Sequence, residues 1–201
     1  MKKVQVLLAA GILAASLAFT ASESLPIGSD MPKASLKMKD VSGKEISMKE
    51  VLKGKGVLVM FSCNTCPYVI KNQERTIAIG DYAQKMDVGV IILNSNEAQR
   101  NSDDSFDDMK AYAQEQKYNW NYVLDKNNEV ADAFGANRTP ECFLFDKNLK
   151  LVYHGAIDDN PSDASAVNRK HLREAINELV AGKDISVKES RSVGCTIKRK
   201  S

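Results

Sequence analysis

The sequence predicts an α/β protein in which a mixed central sheet is flanked by helices and extended at its N-terminal side by a β-hairpin. Three observations carry this. Two short apolar runs, Gly56 to Met60 and Val88 to Leu93, are rich in β-branched residues and too short for helices, so they read as buried strands. Each is followed by a longer stretch of helical pattern. A pair of strands, Cys142 to Phe145 and Leu151 to Tyr153, then meets at a turn over Asp146-Lys147-Asn148 and leads into a last amphipathic helix. Strands alternating with helices and then a hairpin indicate helices packed on a mixed sheet.

In chain order, Lys2 and Lys3 precede an apolar segment from Val4 to Phe19 and the small or polar residues Thr20, Ala21 and Ser22. This is the pattern of a secretory signal peptide over residues 1–22, with an uncleaved anchor as the alternative. The expected location is therefore periplasmic or secreted, with no stable membrane insertion after cleavage. The absence of a cysteine near this end argues against a lipid anchor. Lys and Arg total 28 and Asp and Glu 26. The surplus is Lys2 and Lys3, so the remainder is charge-balanced and gives no support for nucleic-acid binding.

Residues 23–183 are expected to form the domain and 184–201 a tail. Leu36 and Met38 alternate with lysines, and Asp40 to Lys44 supply turn residues before Glu45-Ile46, which predicts the N-terminal hairpin. Ser47 and Glu50 have capping-box spacing for a short helix from Met48 to Leu52. A helix is expected from Pro67 to Met86 with a bend near Gly80. Further elements are expected around Met109, Tyr112 and Ala113 (helix), Tyr122 to Leu124 (strand), Val130 to Phe134 (helix) and Asn168 to Ala181 (helix). The acidic run Asp103, Asp104, Asp107 and Asp108 reads as a solvated helix start, because it lacks the glycine and terminal glutamate of a calcium loop.

Cys63-Asn64-Thr65-Cys66-Pro67, directly after the first buried strand, is the main functional signal. A first cysteine at a helix start gains a stabilised thiolate from unpaired N–H groups and the helix dipole. On this reading Cys63 is exposed, and Cys66 lies one turn inside, shielded and able to close a small disulfide ring. Pro67 suits the first helical turn, where a missing N–H costs little. The alternative, a permanent staple, is a poor one because so tight a ring removes little chain entropy.

Cys63-Asn64-Thr65-Cys66 after a central strand, with Thr139-Pro140 before a later one, resembles the thioredoxin superfamily. The closer resemblance is to its exported, peroxiredoxin-like redoxins, through Phe61 to Lys71, Asn94-Ser95-Asn96, Asp104-Ser105 with Met109, Thr139-Pro140-Glu141, Tyr153-His154-Gly155 with Asp158-Asp159, and Gly194 to Lys198. The resemblance implies a thioredoxin-like fold, a cis Thr139-Pro140 bond packed against the cysteines, and Pro67, Thr139 and Pro140 as supports of the active site. It departs from the family at Arg138, where members often carry a cysteine, and at Arg199, where an aromatic residue is common. The peroxidatic signature is absent: the positions that should hold its proline and threonine are Gly56 and Met60 before Cys63, and Val59 and Cys63 before Cys66.

The expected function is thiol–disulfide exchange with protein substrates, as a reductant or at intermediate potential, because Asn64 and Thr65 add no positive charge between the cysteines. Cys63 is expected to attack and Cys66 to resolve, without a cofactor or metal, in exchange with protein disulfides or dithiols and an upstream redox partner. The alternatives are a thiol peroxidase and a non-enzymatic binding module with a structural disulfide. Cys142 and Cys195 are candidate auxiliary thiols, and the sequence leaves three states open for Cys195: paired with Cys142, a resolving thiol, or free. Cys142 is expected to be buried and reduced, and Cys195 exposed on a mobile tail and dispensable for basic exchange. His154 and His171 are expected to be ordinary surface or structural residues, since neither has a ligand partner at metal-binding spacing.

Overall fold

The computed structural model describes residues 24–200. The signal-peptide expectation over residues 1–22 lies outside them. Strands β1 (Met38–Asp40) and β2 (Glu45–Ile46) form the N-terminal hairpin, and Ser47 and Glu50 close the expected capping box on α1 (Met48–Val51). Strand β3 (Gly56–Ser62), helix α2 (Pro67–Lys85), strand β4 (Val88–Asn94), helix α3 (Phe106–Glu115) and strand β5 (Asn121–Leu124) follow. Helix α4 (Glu129–Phe134), strands β6 (Arg138–Thr139), β7 (Glu141–Asp146) and β8 (Leu151–Gly155), helix α5 (His171–Val180) and strand β9 (Cys195–Thr196) complete the chain.

Seven strands form one sheet in the order β2-β1-β5-β4-β3-β7-β8, and β6 and β9 form a separate antiparallel pair. β3 runs parallel to β4, and β4 to β5, while β7 is antiparallel to β3. Every residue of β3 and β4 is buried, as central strands covered on both faces require. Alternation sorts their side chains. Leu58, Met60, Val90 and Ile92 face α2, α3 and α5, whereas Val57, Val59, Phe61, Ile91 and Leu93 face α1 and α4. Four phenylalanines, Phe61, Phe134, Phe143 and Phe145, pack edge to face on the second side, with centroids 5.1–5.7 Å apart.

Helix α2 runs through Gly80 to Lys85, close to the expected end at Met86. A Cβ at Gly80 would lie 2.7 Å from the Trp120 ring, so the glycine admits the indole against the helix. The final helix is shorter than expected, starting at His171, because Asp158 to Lys170 form a loop whose turns are held by Asp159, Asn160 and Asp163.

The registers Ser62↔Asn94, Asn94↔Leu124 and Phe61↔Glu141 bring four chain segments to one end of the sheet. They are the loop after β3, the loop after β4, the loop after β5, and the connection before β7. Functional groups gather at this strand end, as is usual for open α/β sheets.

Candidate active site at the strand ends

Cys63 follows the last residue of β3, and Cys66 is the N-cap of α2 with Pro67 as its first helical residue. The helix begins at Pro67 as expected, but the helix-start position belongs to Cys66 and not to Cys63. The fixed φ of Pro67 suits a first helical residue, while Asn64 and Thr65 make the bend that leads to it. Both sulfur-bearing residues are buried, Cys63 at 1% exposure and Cys66 at 4%, so the expected contrast of an exposed and a shielded cysteine is not found.

Cys66 is bonded to Cys195, 129 residues away, with a Cα–Cα distance of 6.1 Å, and Cys63 is a free thiol. The expectation of an exposed Cys195 on a mobile tail is corrected: Cys195 is half-buried in β9 and packs against Cys63, Cys66 and Val69. Closing so long a loop removes roughly 5 kcal/mol of unfolded-chain entropy in the loop-closure picture, whereas a Cys63–Cys66 ring would remove far less. Cys142 is free and fully buried in β7 opposite Met60, where burial pushes its thiol well above the ordinary range.

The Thr139-Pro140 bond is cis, and its loop lies against the cysteines. The Cys63 thiol donates to Thr139 Oγ1 at 3.7 Å, and that hydroxyl donates to the carbonyl of Cys195 at 3.5 Å. The Cys66 sulfur, which carries no proton in the disulfide, lies 3.3 Å from the carbonyl oxygen of Thr139. Glu141 braces the loop from below. One carboxylate oxygen accepts the N–H groups of Asn137 and Arg138 at 2.7 and 2.8 Å, and the other is 2.7 Å from His154 Nε2. His154 is thus a buried structural residue, stacked on Phe143 with ring centroids 4.3 Å apart.

Beneath Cys63 lies a polar cluster that sequence reasoning missed. Asp104 is completely buried, and its two oxygens accept from the Asn64 N–H at 2.9 Å, Asn94 Nδ2 at 2.7 Å and Asn96 Nδ2 at 2.8 Å. Tyr122 donates to Asn64 Oδ1 at 2.8 Å, so the residue after Cys63 is held on both its main chain and its side chain. Asp104 is therefore no part of a solvated helix start. Ser105 caps α3, which frees the preceding aspartate to turn inward. Asn94, Asn96 and Asp104 were all visible in the motifs of resemblance, but nothing local in the sequence joins them.

The electrostatics follow from this packing. Burial pushes the Cys63 thiol above its ordinary value of 9.0, and the Asp104 carboxylate pushes it further; the Thr139 hydroxyl and the N–H groups of Cys66 and Thr65 pull it down but do not prevail. Thiolate stabilisation at the helix start was expected to dominate, and desolvation outweighs it. In Asp104→Asn the Cys63 thiol should titrate at lower pH, at a stability cost of about 1–3 kcal/mol for the mismatched amide. The rate of iodoacetamide alkylation of the reduced protein against pH reads this directly. An inflection that stays put or moves upward would show that Asp104 does not act on the thiol.

Comparison with known proteins places this geometry. A family model described as the AhpC/TSA family matches residues 27–154. The thiol-disulfide oxidoreductase ResA of Bacillus subtilis (strain 168) is 30% identical over 141 residues, covering 67% of this chain and 69% of ResA. An uncharacterized conserved protein from Geobacillus kaustophilus is 32% identical in its crystal structure, with a TM-score of 0.81 over 87% of this chain and 93% of that one. A thioredoxin-like protein, solved in solution in the oxidized form, has a TM-score of 0.60 at 18% identity over 77% of this chain and 97% of that one, a likeness of fold alone. The chain is an oxidoreductase of thioredoxin-like fold, and it belongs to the AhpC/TSA family.

Proposed function

We propose that the protein exchanges thiols and disulfides with protein substrates, with Cys63 as the attacking thiol and Cys66 as the resolving one. The observation that carries this is a free Cys63 thiol packed against a disulfide that includes Cys66, beside the Thr139-Pro140 loop. Cys63 attacks a substrate disulfide and forms a mixed disulfide. Cys66 then attacks Cys63 Sγ, the substrate leaves as a dithiol, and the enzyme holds Cys63–Cys66. An upstream dithiol partner returns the electrons, and the working direction is that of a reductant or an intermediate-potential catalyst. Pro67 sets the helix start under Cys66, and Thr139 and Pro140 shape the substrate face.

Further support comes from the relative's name, thiol-disulfide oxidoreductase ResA. The chain is read as an exported protein in which residues 1–22 direct export, 23–183 form the redoxin domain and 184–201 its tail. Among the described residues, no helix is long and apolar enough to cross a membrane.

Cys66→Ser tests the roles. Reduced and mixed with a disulfide-bonded peptide, this variant should accumulate a one-to-one adduct on Cys63, seen by intact mass and peptide mapping. An adduct on Cys195 or Cys142, or none at all, would remove Cys63 from the attacking role.

A further inference from the structure

The last residues of the chain are built into the site rather than draped over it. β9 pairs with β6 in the register Arg138↔Thr196 and Thr139↔Cys195, which lays the strand along the residues that precede cis-Pro140. Gly194 makes that approach feasible, since a Cβ there would lie 2.1 Å from the Thr139 carbonyl oxygen and 3.3 Å from the Pro140 nitrogen. Beyond Cys195 the segment is seated by side chains of both signs and by the core. Ile197 is buried in the same apolar cluster as Phe61, and its N–H donates to the Asn137 carbonyl at 3.1 Å. The Lys198 N–H donates to Asn96 Oδ1 at 2.9 Å, and Arg199 Nε is 2.8 Å from Asp132. Asn96 also binds Asp104, so the seat of the tail and the cluster under Cys63 share a residue.

We propose that Cys195 is a third redox-active residue, which takes the disulfide over from the Cys63–Cys66 pair and thereby latches β9 onto β6. The step is an isomerisation and rests on the exchange reading above. The Cys195 thiolate attacks Cys66 Sγ, the Cys63–Cys66 bond breaks, Cys63 leaves as a thiolate, and it takes up the proton that Cys195 gave up. No electrons are gained or lost. The geometry favours Cys66 as the sulfur attacked, because the β6–β9 register places Cys195 opposite Thr139, whose carbonyl the Cys66 sulfur touches. The raised pKa of Cys63 makes it a reluctant leaving group and, once released, a protonated and quiet one. The latched form therefore keeps the oxidising equivalent on Cys66–Cys195, with β9 closing the β6 edge beside cis-Pro140. The β6 edge beside cis-Pro140 is thus covered while the latch is closed, and reduction of Cys66–Cys195 releases the covalent hold on β9.

The test follows the disulfide through time. The fully reduced full-length chain is mixed with one equivalent of oxidised glutathione, acid-quenched at intervals, alkylated and mapped by mass spectrometry. Cys63–Cys66 should appear first and be replaced by Cys66–Cys195. In Gly194→Val, which keeps all four cysteines but drives β9 off Thr139, the replacement should slow by at least tenfold. In Cys195→Ser the oxidised protein should stop at Cys63–Cys66. The latch is overturned if the wild-type chain ends as Cys63–Cys66, or if Gly194→Val converts at the wild-type rate. Should Cys63→Ser reach Cys66–Cys195 as fast as the wild type, oxidation does not pass through Cys63, and the exchange reading fails together with the latch that rests on it.

Discussion

Replacing Cys63 with serine is expected to abolish turnover of a disulfide substrate, a loss of more than about three orders of magnitude. A hydroxyl cannot attack a disulfide sulfur under these conditions, so the loss comes from chemistry and not from folding. Serine is close to isosteric, and the buried position already offers the Thr139 hydroxyl and two backbone N–H groups as partners. The thermal midpoint should therefore stay close to that of the wild type. Steady-state reduction of a disulfide-bonded peptide, run beside a melting curve, separates the two effects. Residual turnover above a tenth of the wild-type rate would show that another cysteine attacks. Cys142 is a poor candidate, because its thiol is fully enclosed between β3 and β8 and shifted far from reactivity.

Phe134→Ala is the core substitution with the largest expected cost, about 3–5 kcal/mol. The ring is completely buried at the end of α4 and meets Phe61, Phe143 and Phe145 edge to face. Its loss leaves a cavity on the α1/α4 face of the sheet, next to residues that lead into the site. Phe61 lies two residues before Cys63, and Phe143 stacks on His154, the partner of Glu141 under the cis-proline loop. Denaturant unfolding should show a lower midpoint at an unchanged slope, since the fold and the surface exposed on unfolding stay the same. A loss below about 1 kcal/mol would mean that neighbouring side chains collapse into the space. Exchange activity should fall less than stability does, because no reacting atom is removed.

Much of the fold was legible because its signals are local. The β-branched runs at β3 and β4, the Ser47 and Glu50 box, the turn before β8 and the apolar stripe of α5 each lie within a dozen residues. They determined the α/β class and the order of elements. Resemblance added the cis bond at Pro140, which the structure has. A local signal can also leave a long-range role unread. Gly80 suggested a bend, and in the structure it also admits Trp120 from a segment 40 residues away.

By itself, then, the sequence determined where the elements lie, that Cys63 and Cys66 stand at a strand end, and that Pro67 opens a helix. Only the tertiary structure decided which cysteines are joined. Cys66 meets Cys195 because the β3–β7 register fixes the Thr139-Pro140 loop beside the helix start, and β9 then pairs with β6. The tertiary structure alone also decided the electrostatics of Cys63. A helix start favours a thiolate, yet the folded chain encloses the sulfur and turns Asp104 toward it, so desolvation and like charge outweigh the N–H groups. Spacing along a chain can place a thiol, but its reactivity depends on the dielectric and the charges that distant segments bring around it.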